Sequence, residues 1–218
     1  MPTALIIGAS RGIGRVLAEQ YLNDGWRVIA TVRRPQDAVR GAELLLLDVS
    51  SAATLAAFAS KIDGEQLDVA ILGAGLYGPR HDDVPTQADF DSVMHTNVLA
   101  AMRLLPVLAP LVCAARGKLA VISSRMGSMG ARTNSAGTLY RASKAALNSV
   151  LVDTSIDFGP QGATCVTLHP GWVQTDMGGS GAELTPEHSA RDLRATIASL
   201  TPQDNGSFLN HDRSPIPW

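Results

Sequence analysis

Short, unbroken apolar runs alternate with longer stretches of helical spacing along the whole chain, and this alternation constrains the fold more than any other feature. "TALIIG", from Thr3 to Gly8, reads as a buried strand, and "RGIGRVLAEQYLNDG" then carries helical spacing to a glycine stop. "WRVIATVR", "AELLLLDVS" (ending at Asp48) and "LDVAILGAG" read as the next strands, with Ser50 or Ser51 capping the helix "SAATLAAFASKI" between the last two. Two successive helices are expected from about Thr86 to Ala115, then the strand "GKLAVISS" and a long helix from Thr138 to about Phe158. The strand "ATCVTLHPG", a helix from about Pro186 to Leu200 and the short strand "GSFLNHD" complete the pattern. Apolar strands without period-two alternation are buried on both faces, as in a parallel sheet covered by helices. The expected fold is therefore α/β: a three-layer, doubly wound domain on a central parallel sheet, with ligands at the carboxyl ends of the strands.

The 218 residues suit one domain over 1–218. The net charge of −2 is spread without a basic patch, which argues against nucleic acid or an acidic membrane as partner. Cys113 and Cys165 lie in separate apolar stretches and read as core residues of a reduced, cytoplasmic protein. The five histidines form no metal-ligand spacing, so no catalytic metal is expected. No eighteen apolar residues run together, and "MPTALIIGASRGIG" has the look of a strand entering a turn rather than a signal peptide. "NGS" at Asn205 reads as a turn before a strand.

"GASRGIG" sets Gly8, Gly12 and Gly14 between the first strand and the first helix. Glycines there let backbone approach a pyrophosphate at a helix N-terminus; the competing reading is a tight turn with no ligand. The second strand ends "ATVRR", with Arg33 and Arg34 and no acid. An acid there would suit the ribose of NAD, whereas a guanidinium matches the 2′-phosphate of NADP. Arg11, inside the glycine turn, can reach the same place, and the competing reading is solvated surface arginines. Asp48 can accept from an adenine amino group or cap the next helix. "GAG" at Gly73 to Gly75 either leaves room for a cofactor or makes a turn.

The chain has only three lysines, and Lys144 stands four residues after Tyr140. On a helix those two side chains share a face. A free phenol with a pKa near roughly 10 is a poor acid or base at neutral pH. A nearby ammonium lowers it; about three units of lowering takes roughly 4 kcal/mol, which Lys144 together with a positive nicotinamide ring could supply in a partly dry cleft. A phenol so tuned can protonate a carbonyl oxygen as hydride arrives. The alternative is a buried tyrosine beside a snorkelling lysine.

In chain order these pieces resemble a short-chain dehydrogenase/reductase. Gly8-Gly12-Gly14, "LGAG" at 72–75, Asn97 in "MHTNVLA", Ser124 in "VISSRMG", Tyr140/Lys144 and "HPGWVQTDMGG" at 169–179 match that family's ordered motifs. "SSRMGS" and "FLNHDRSPIPW" further resemble the compact C-factor-like and sniffer-like carbonyl reductases. The resemblance implies a Rossmann fold binding NADP(H), with NAD(H) as the lesser cofactor. It implies Tyr140 as catalytic acid/base and Ser124 as the group that polarises the substrate carbonyl, with Ser123 the competitor. Lys144 would bind the nicotinamide ribose, and Asn97 would hold a water linking Lys144 to solvent. Gly171 and Val173 would line the nicotinamide pocket, Thr175 would bond the carboxamide, and Ser10, Ile13, Val49, Ala74 and Pro170 would complete the cofactor contacts.

The sequence departs from the family pattern in places. Ile7 replaces the usual Thr, and Leu72-Gly73 replace an Asn pair, all of which ordinarily brace the cofactor site. Ser124 and Tyr140 are further apart than usual, which marks "RTNSAG" as an inserted loop at the pocket rim. The stretch from Met177 to Pro186 is short for a lid and implies an open pocket for bulky carbonyls, lined by Met126, Met129, Tyr77, Trp172 and Met177 unless these are ordinary core. The expected activity is NADPH-dependent reduction of a ketone, aldehyde or quinone. The second reading is a signalling or sensing protein of C-factor type with little turnover. A third, an α/β domain without a cofactor, predicts that neither nucleotide raises the melting temperature. A small-molecule carbonyl is the expected partner, and the long helices would pack a homodimer or homotetramer, though compact relatives can be monomers.

Overall fold

The computed structural model describes residues 1–80 and 83–218. Seven parallel strands form one sheet in the order β3-β2-β1-β4-β5-β6-β7. They are β1 (Thr3–Ile7), β2 (Arg27–Val32), β3 (Glu43–Leu46), β4 (Val69–Leu72), β5 (Lys118–Ile122), β6 (Thr164–His169) and β7 (Phe208–Asn210). The order reverses between β1 and β4, so a crevice opens beyond their carboxyl ends.

Helices cover both faces. α1 (Gly12–Asn23) and α6 (Pro186–Ser199) pack Leu17, Tyr21, Leu193 and Ile197 against Ile6, Val28, Val166 and Leu168. α2 (Ala52–Ile62), α4 (Ala100–Ala114) and α5 (Thr138–Phe158) pack Phe58, Leu104, Leu108, Leu147 and Leu151 against Leu5, Ile7, Val121 and Cys165. Each such fully buried side chain contributes about 1.5–3 kcal/mol.

Two elements differ from the sequence-based expectation, and a third settles an alternative it left open. The stretch from Thr86 is not two separate helices. α3 (Gln87–Met94) runs through a π turn, His95–Leu99, straight into α4. The one-residue bulge rotates Asn97 inward without ending the helix. The combined helix, Gln87–Ala114, is long and apolar enough to cross a membrane, yet Leu104, Leu105, Leu108, Ala109 and Val112 are buried against the sheet and α5. It is a core helix. The leucine run of β3 is buried on one side only, with Leu44 and Leu46 exposed, because β3 is the sheet's edge strand. Ser51, not Ser50 or Asp48, caps α2 by accepting from the Thr54 N–H.

Asn205 is used structurally, as the turn reading has it. Its Oδ1 accepts from the Cys165 N–H at 2.8 Å and its Nδ2 donates to the Ser155 carbonyl at 2.9 Å, tying β6 to α5.

Candidate functional site

A cleft of about 880 Å³ opens at the carboxyl edge of the sheet where the strand order reverses. Its floor is the glycine turn. Gly8 has φ of 92°, and a Cβ there would stand 2.9 Å from the Ala74 nitrogen. A Cβ on Gly14 would lie 2.2 Å from the Gly8 carbonyl oxygen, so only glycine lets α1 start this close to β1. Ile7 and Leu72 are packed into the core. Thr31 braces the glycine turn. Its Oγ1 accepts from the Gly8 N–H at 3.1 Å and its carbonyl accepts from the Ala9 N–H at 2.9 Å. Thr31 was not legible as a site residue, although its place near the end of β2 is the signal that points there.

The N-terminus of α1 has no side-chain cap and no acid in its first turn, so its free N–H groups suit an anion. Ser10, Arg11, Gly12, Ile13, Arg33, Asp48, Val49, Gly73, Ala74, Gly75, Pro170 and Thr175 share the same cleft wall with Gly8 and Gly14. The donor set and the glycine cradle fit a dinucleotide. Arg34 turns away, with its Nε donating to Asp37 at 2.9 Å. Arg11 forms an ion pair with Asp176 across the cleft mouth rather than reaching toward Arg33. Hydrogen bonds from the Ser50 hydroxyl and N–H hold the Asp48 carboxyl below its usual range, with the Arg33 charge adding to the effect.

At the other end stand Tyr140 and Lys144, 7% and 3% exposed, both on the cleft wall. Tyr140 lies in the first turn of α5 and Lys144 one turn on. The Lys144 Nζ donates to the Ile122 carbonyl at 3.0 Å and lies 5.6 Å from the Tyr140 ring centre. Burial pushes the Lys144 ammonium down to about 8. Burial also pushes the Tyr140 phenol up to about 12, opposed by a hydrogen bond from the Ser124 hydroxyl. For the protein by itself, desolvation of the phenol outweighs the Ser124 hydrogen bond. At neutral pH Tyr140 keeps its proton.

The structure separates the two serines. The Ser123 hydroxyl donates to Asn148 Oδ1 at 2.6 Å in the core, whereas Ser124 caps the turn Arg125–Gly127 by accepting from the Met126 N–H at 3.1 Å. Asn97 sits behind the wall. Its Oδ1 accepts from the Leu76 N–H, and its Nδ2 donates to the Leu76 carbonyl at 2.8 Å and to Ser143 Oγ at 2.9 Å. The Ser143 hydroxyl in turn donates to the Tyr140 carbonyl at 2.8 Å. Gly171 is packed against Leu184 and His211, and Val173 is buried with its carbonyl accepting from the Thr175 N–H, so both lie behind the wall their neighbours form.

The pocket over Tyr140 is more closed than its short lid implied. Met177 places its sulfur 3.9 Å from the Tyr140 hydroxyl, and Tyr77 stacks on the Tyr140 ring with centres 4.6 Å apart. Arg80 lies over the Tyr77 ring and donates to the Met177 carbonyl at 2.7 Å. Met126 and Tyr77 meet at Gly137, while Met129 and Trp172 are largely exposed. The contacts of Arg80 with Met177, Asp176 with Arg11 and Ser143 with Asn97 had no sequence signal, because each joins segments far apart in the chain.

The short chain dehydrogenase family model matches residues 2–184. The C-signal protein of Myxococcus xanthus is 38% identical over 165 residues, which is 74% of this chain and 99% of that protein. The 1-hydroxy-2-glutathionyl-2-methyl-3-butene dehydrogenase of Rhodococcus sp. (strain AD45) is 30% identical over the whole of both chains. Among solved structures, the carbonyl reductase Sniffer of D. melanogaster superposes with a TM-score of 0.92 at 29% identity, covering all of both chains. A carbonyl reductase from Pseudomonas aeruginosa PAO1 in complex with NADP gives 0.84 at 31% identity, again over both chains. With its ordered motifs gathered along one cleft and matches running from one end to the other, this chain belongs to the short-chain dehydrogenase family.

Proposed function

We propose that the chain is one NADP(H)-binding oxidoreductase domain over 1–218 that reduces a small-molecule ketone, aldehyde or quinone. The observation that carries this reading is the phenol of Tyr140 on the cleft wall near the Ser124 hydroxyl, with Lys144 buried beside it. Bound NADPH would supply the hydride. The glycine turn and the α1 N-terminus would hold the pyrophosphate, Arg33 the 2′-phosphate, Asp48 the adenine, and Thr175 the carboxamide.

Tyr140 carries its proton at neutral pH, which is the state needed to protonate a carbonyl oxygen. Ser124 donates to the same oxygen and fixes its position. The Lys144 ammonium faces the ring and favours the phenolate as the proton leaves. Asn97 Oδ1 and Lys144 Nζ flank Gly75, a placement that supports a water between them as the route for reprotonation. The Tyr-Lys spacing of four also argues against reduction of a C=C bond. The C-factor-type signalling reading is not favoured: a binder has no use for a buried Ser-Tyr-Lys set, and the reductases superpose over the full chain.

The test is NADPH oxidation across a panel of carbonyls, wild type beside Tyr140→Phe, after both are shown to bind NADPH by thermal shift. Turnover by the wild type alone supports the proposal. NADPH binding by both with turnover by neither would sink it. A second arm compares Arg33→Ala: the loss should fall on NADPH affinity and leave NADH affinity unchanged.

A further inference from the structure

Arg141 follows Tyr140 directly on α5 and is only 7% exposed. A buried guanidinium is ordinarily matched by a carboxylate. Among the described residues the acceptors of Arg141 are all neutral. Its Nε donates to the Ala136 carbonyl at 2.7 Å, its Nη2 to Asn134 Oδ1 at 2.7 Å, and its Nη1 to the Met126 carbonyl at 3.5 Å. All three belong to the segment between Ser124 and Tyr140, including the loop "RTNSAG".

The front of that segment is tied to the C-terminal tail, by the Ser128 hydroxyl to the Pro217 carbonyl and by the Gly130 N–H to the Trp218 carbonyl at 2.8 Å, and beyond Ala131 its long-range ties among the described residues are those of Arg141. Residues 130–136 are exposed or half-exposed, and Asn134 closes a local turn by accepting from the Ala136 N–H at 3.2 Å. The helix that follows starts at Gly137 in a left-handed conformation, φ 71°, with no side-chain cap. Tyr140 is the third residue of that helix. First turns fray when their N–H groups lack partners, and a fraying turn would carry the phenol with it. The planar fork of Arg141 holds this turn to the loop on one side and to Met126, two residues from Ser124, on the other.

We infer that Arg141 is a positioning residue that fixes Tyr140 relative to Ser124 by clamping the loop between them. The inference rests on the reductase reading. Misplacement of a reacting group by about 1 Å can cost on the order of a hundredfold in rate. A lysine carries its three donors on a single nitrogen and cannot reach three acceptors set in different directions.

The experiment compares wild type, Arg141→Met, Arg141→Lys and Tyr140→Phe by hydrogen exchange, NADPH affinity, and kcat and KM with 9,10-phenanthrenequinone. In both Arg141 variants, amide exchange across 126–141 should rise at least about tenfold while the rest of α5 is unchanged. The kcat should fall about tenfold or more with NADPH affinity unchanged. Millimolar guanidinium should restore part of the rate of Arg141→Met and none of that of Tyr140→Phe. If Arg141→Met does not fold, Arg141→Lys carries the same readings. Faster exchange with kcat within twofold of wild type would leave only a structural clamp and overturn the inference. Slower turnover without faster exchange would overturn it too. If wild-type protein binds NADPH but reduces no carbonyl, the reductase reading fails, and exchange over 126–141 alone then decides the clamp.

Discussion

Arg11 and Asp176 pair across the mouth of the cleft, joining the glycine turn to the segment that carries Met177 over Tyr140. Their side chains are 69% and 75% exposed, so the pair adds little to stability. It does occupy a guanidinium that lines the candidate cofactor cleft. A phosphate entering the cleft competes with the Asp176 carboxylate for Arg11. Asp176→Asn should therefore bind NADPH about two- to fivefold more tightly, the equivalent of roughly 0.5–1 kcal/mol, with no change in melting temperature. The gain should shrink as salt is added. Fluorescence titration of NADPH at low and moderate salt reads it directly, and equal or weaker binding by the variant would show that the two charges do not compete.

On the proposed mechanism, Lys144 would set a limit on activity at alkaline pH. Burial lowers its pKa to about 8. Below that value it is an ammonium and favours the Tyr140 phenolate; above it the charge is gone. Reduction should therefore slow as pH rises through about 8, in a single step. Lys144→Met should be slow at every pH and show no such step. The same shift has a stability sign. The folded state disfavours the charged lysine, so the unfolded chain binds the extra proton between about pH 8 and 10.5, and stability rises across that window. Activity and stability should thus move in opposite directions above pH 8, which a rate profile and a melting profile together can check.

The parts of this molecule that local pattern controls were legible in the sequence. The strand-helix alternation placed each strand within a few residues, and the spacing of Tyr140 and Lys144 put both on one face of α5, which lines the same cleft as the glycine turn. What the sequence left hidden depends on contacts between distant segments. Ser123 and Ser124 are indistinguishable as neighbours in a chain, and Asn148, on another element, decides which hydroxyl is spent in the core. Thr31 looks like any strand residue until β2 pairs with β1. The direction of the Tyr140 shift could not be read either, because spacing reports proximity to Lys144 and says nothing of how dry the ring is.

Asn97 holds three groups at once: the N–H and carbonyl of Leu76, and the Ser143 hydroxyl. Asn97→Ala leaves them without that partner in a partly buried place. The expected cost is about 2 kcal/mol, or roughly 4–8 °C in melting temperature for a chain of this size. Because Ser143 also bonds the Tyr140 carbonyl, turnover should fall as well. A variant as stable as wild type would mean that the bulged helix relaxes to replace those bonds.

His169 gives the fold an acid limit of its own. It ends β6, and its Nδ1 is buried with no hydrogen-bond partner among the described residues. Burial, with the charges of Arg125 and His211 adding to it, pushes the imidazole down to about 4. The sign follows from proton counts. Between pH 6.5 and about 4 the unfolded chain binds a proton at this site and the folded chain does not, so acid favours unfolding. The contribution is fully present above pH 6.5 and is lost as pH falls toward 4. Asp48, Asp204, Asp212 and Glu65 are all held below the usual carboxylate value, so the stability they contribute is lost from the lower end of this window downward. Melting temperature should therefore decline between pH 6.5 and 4 in wild type and decline less steeply in His169→Gln, which has no proton to take up. Parallel curves would place the acid sensitivity elsewhere, and a steeper curve in the variant would mean that the buried imidazole is already protonated in the fold.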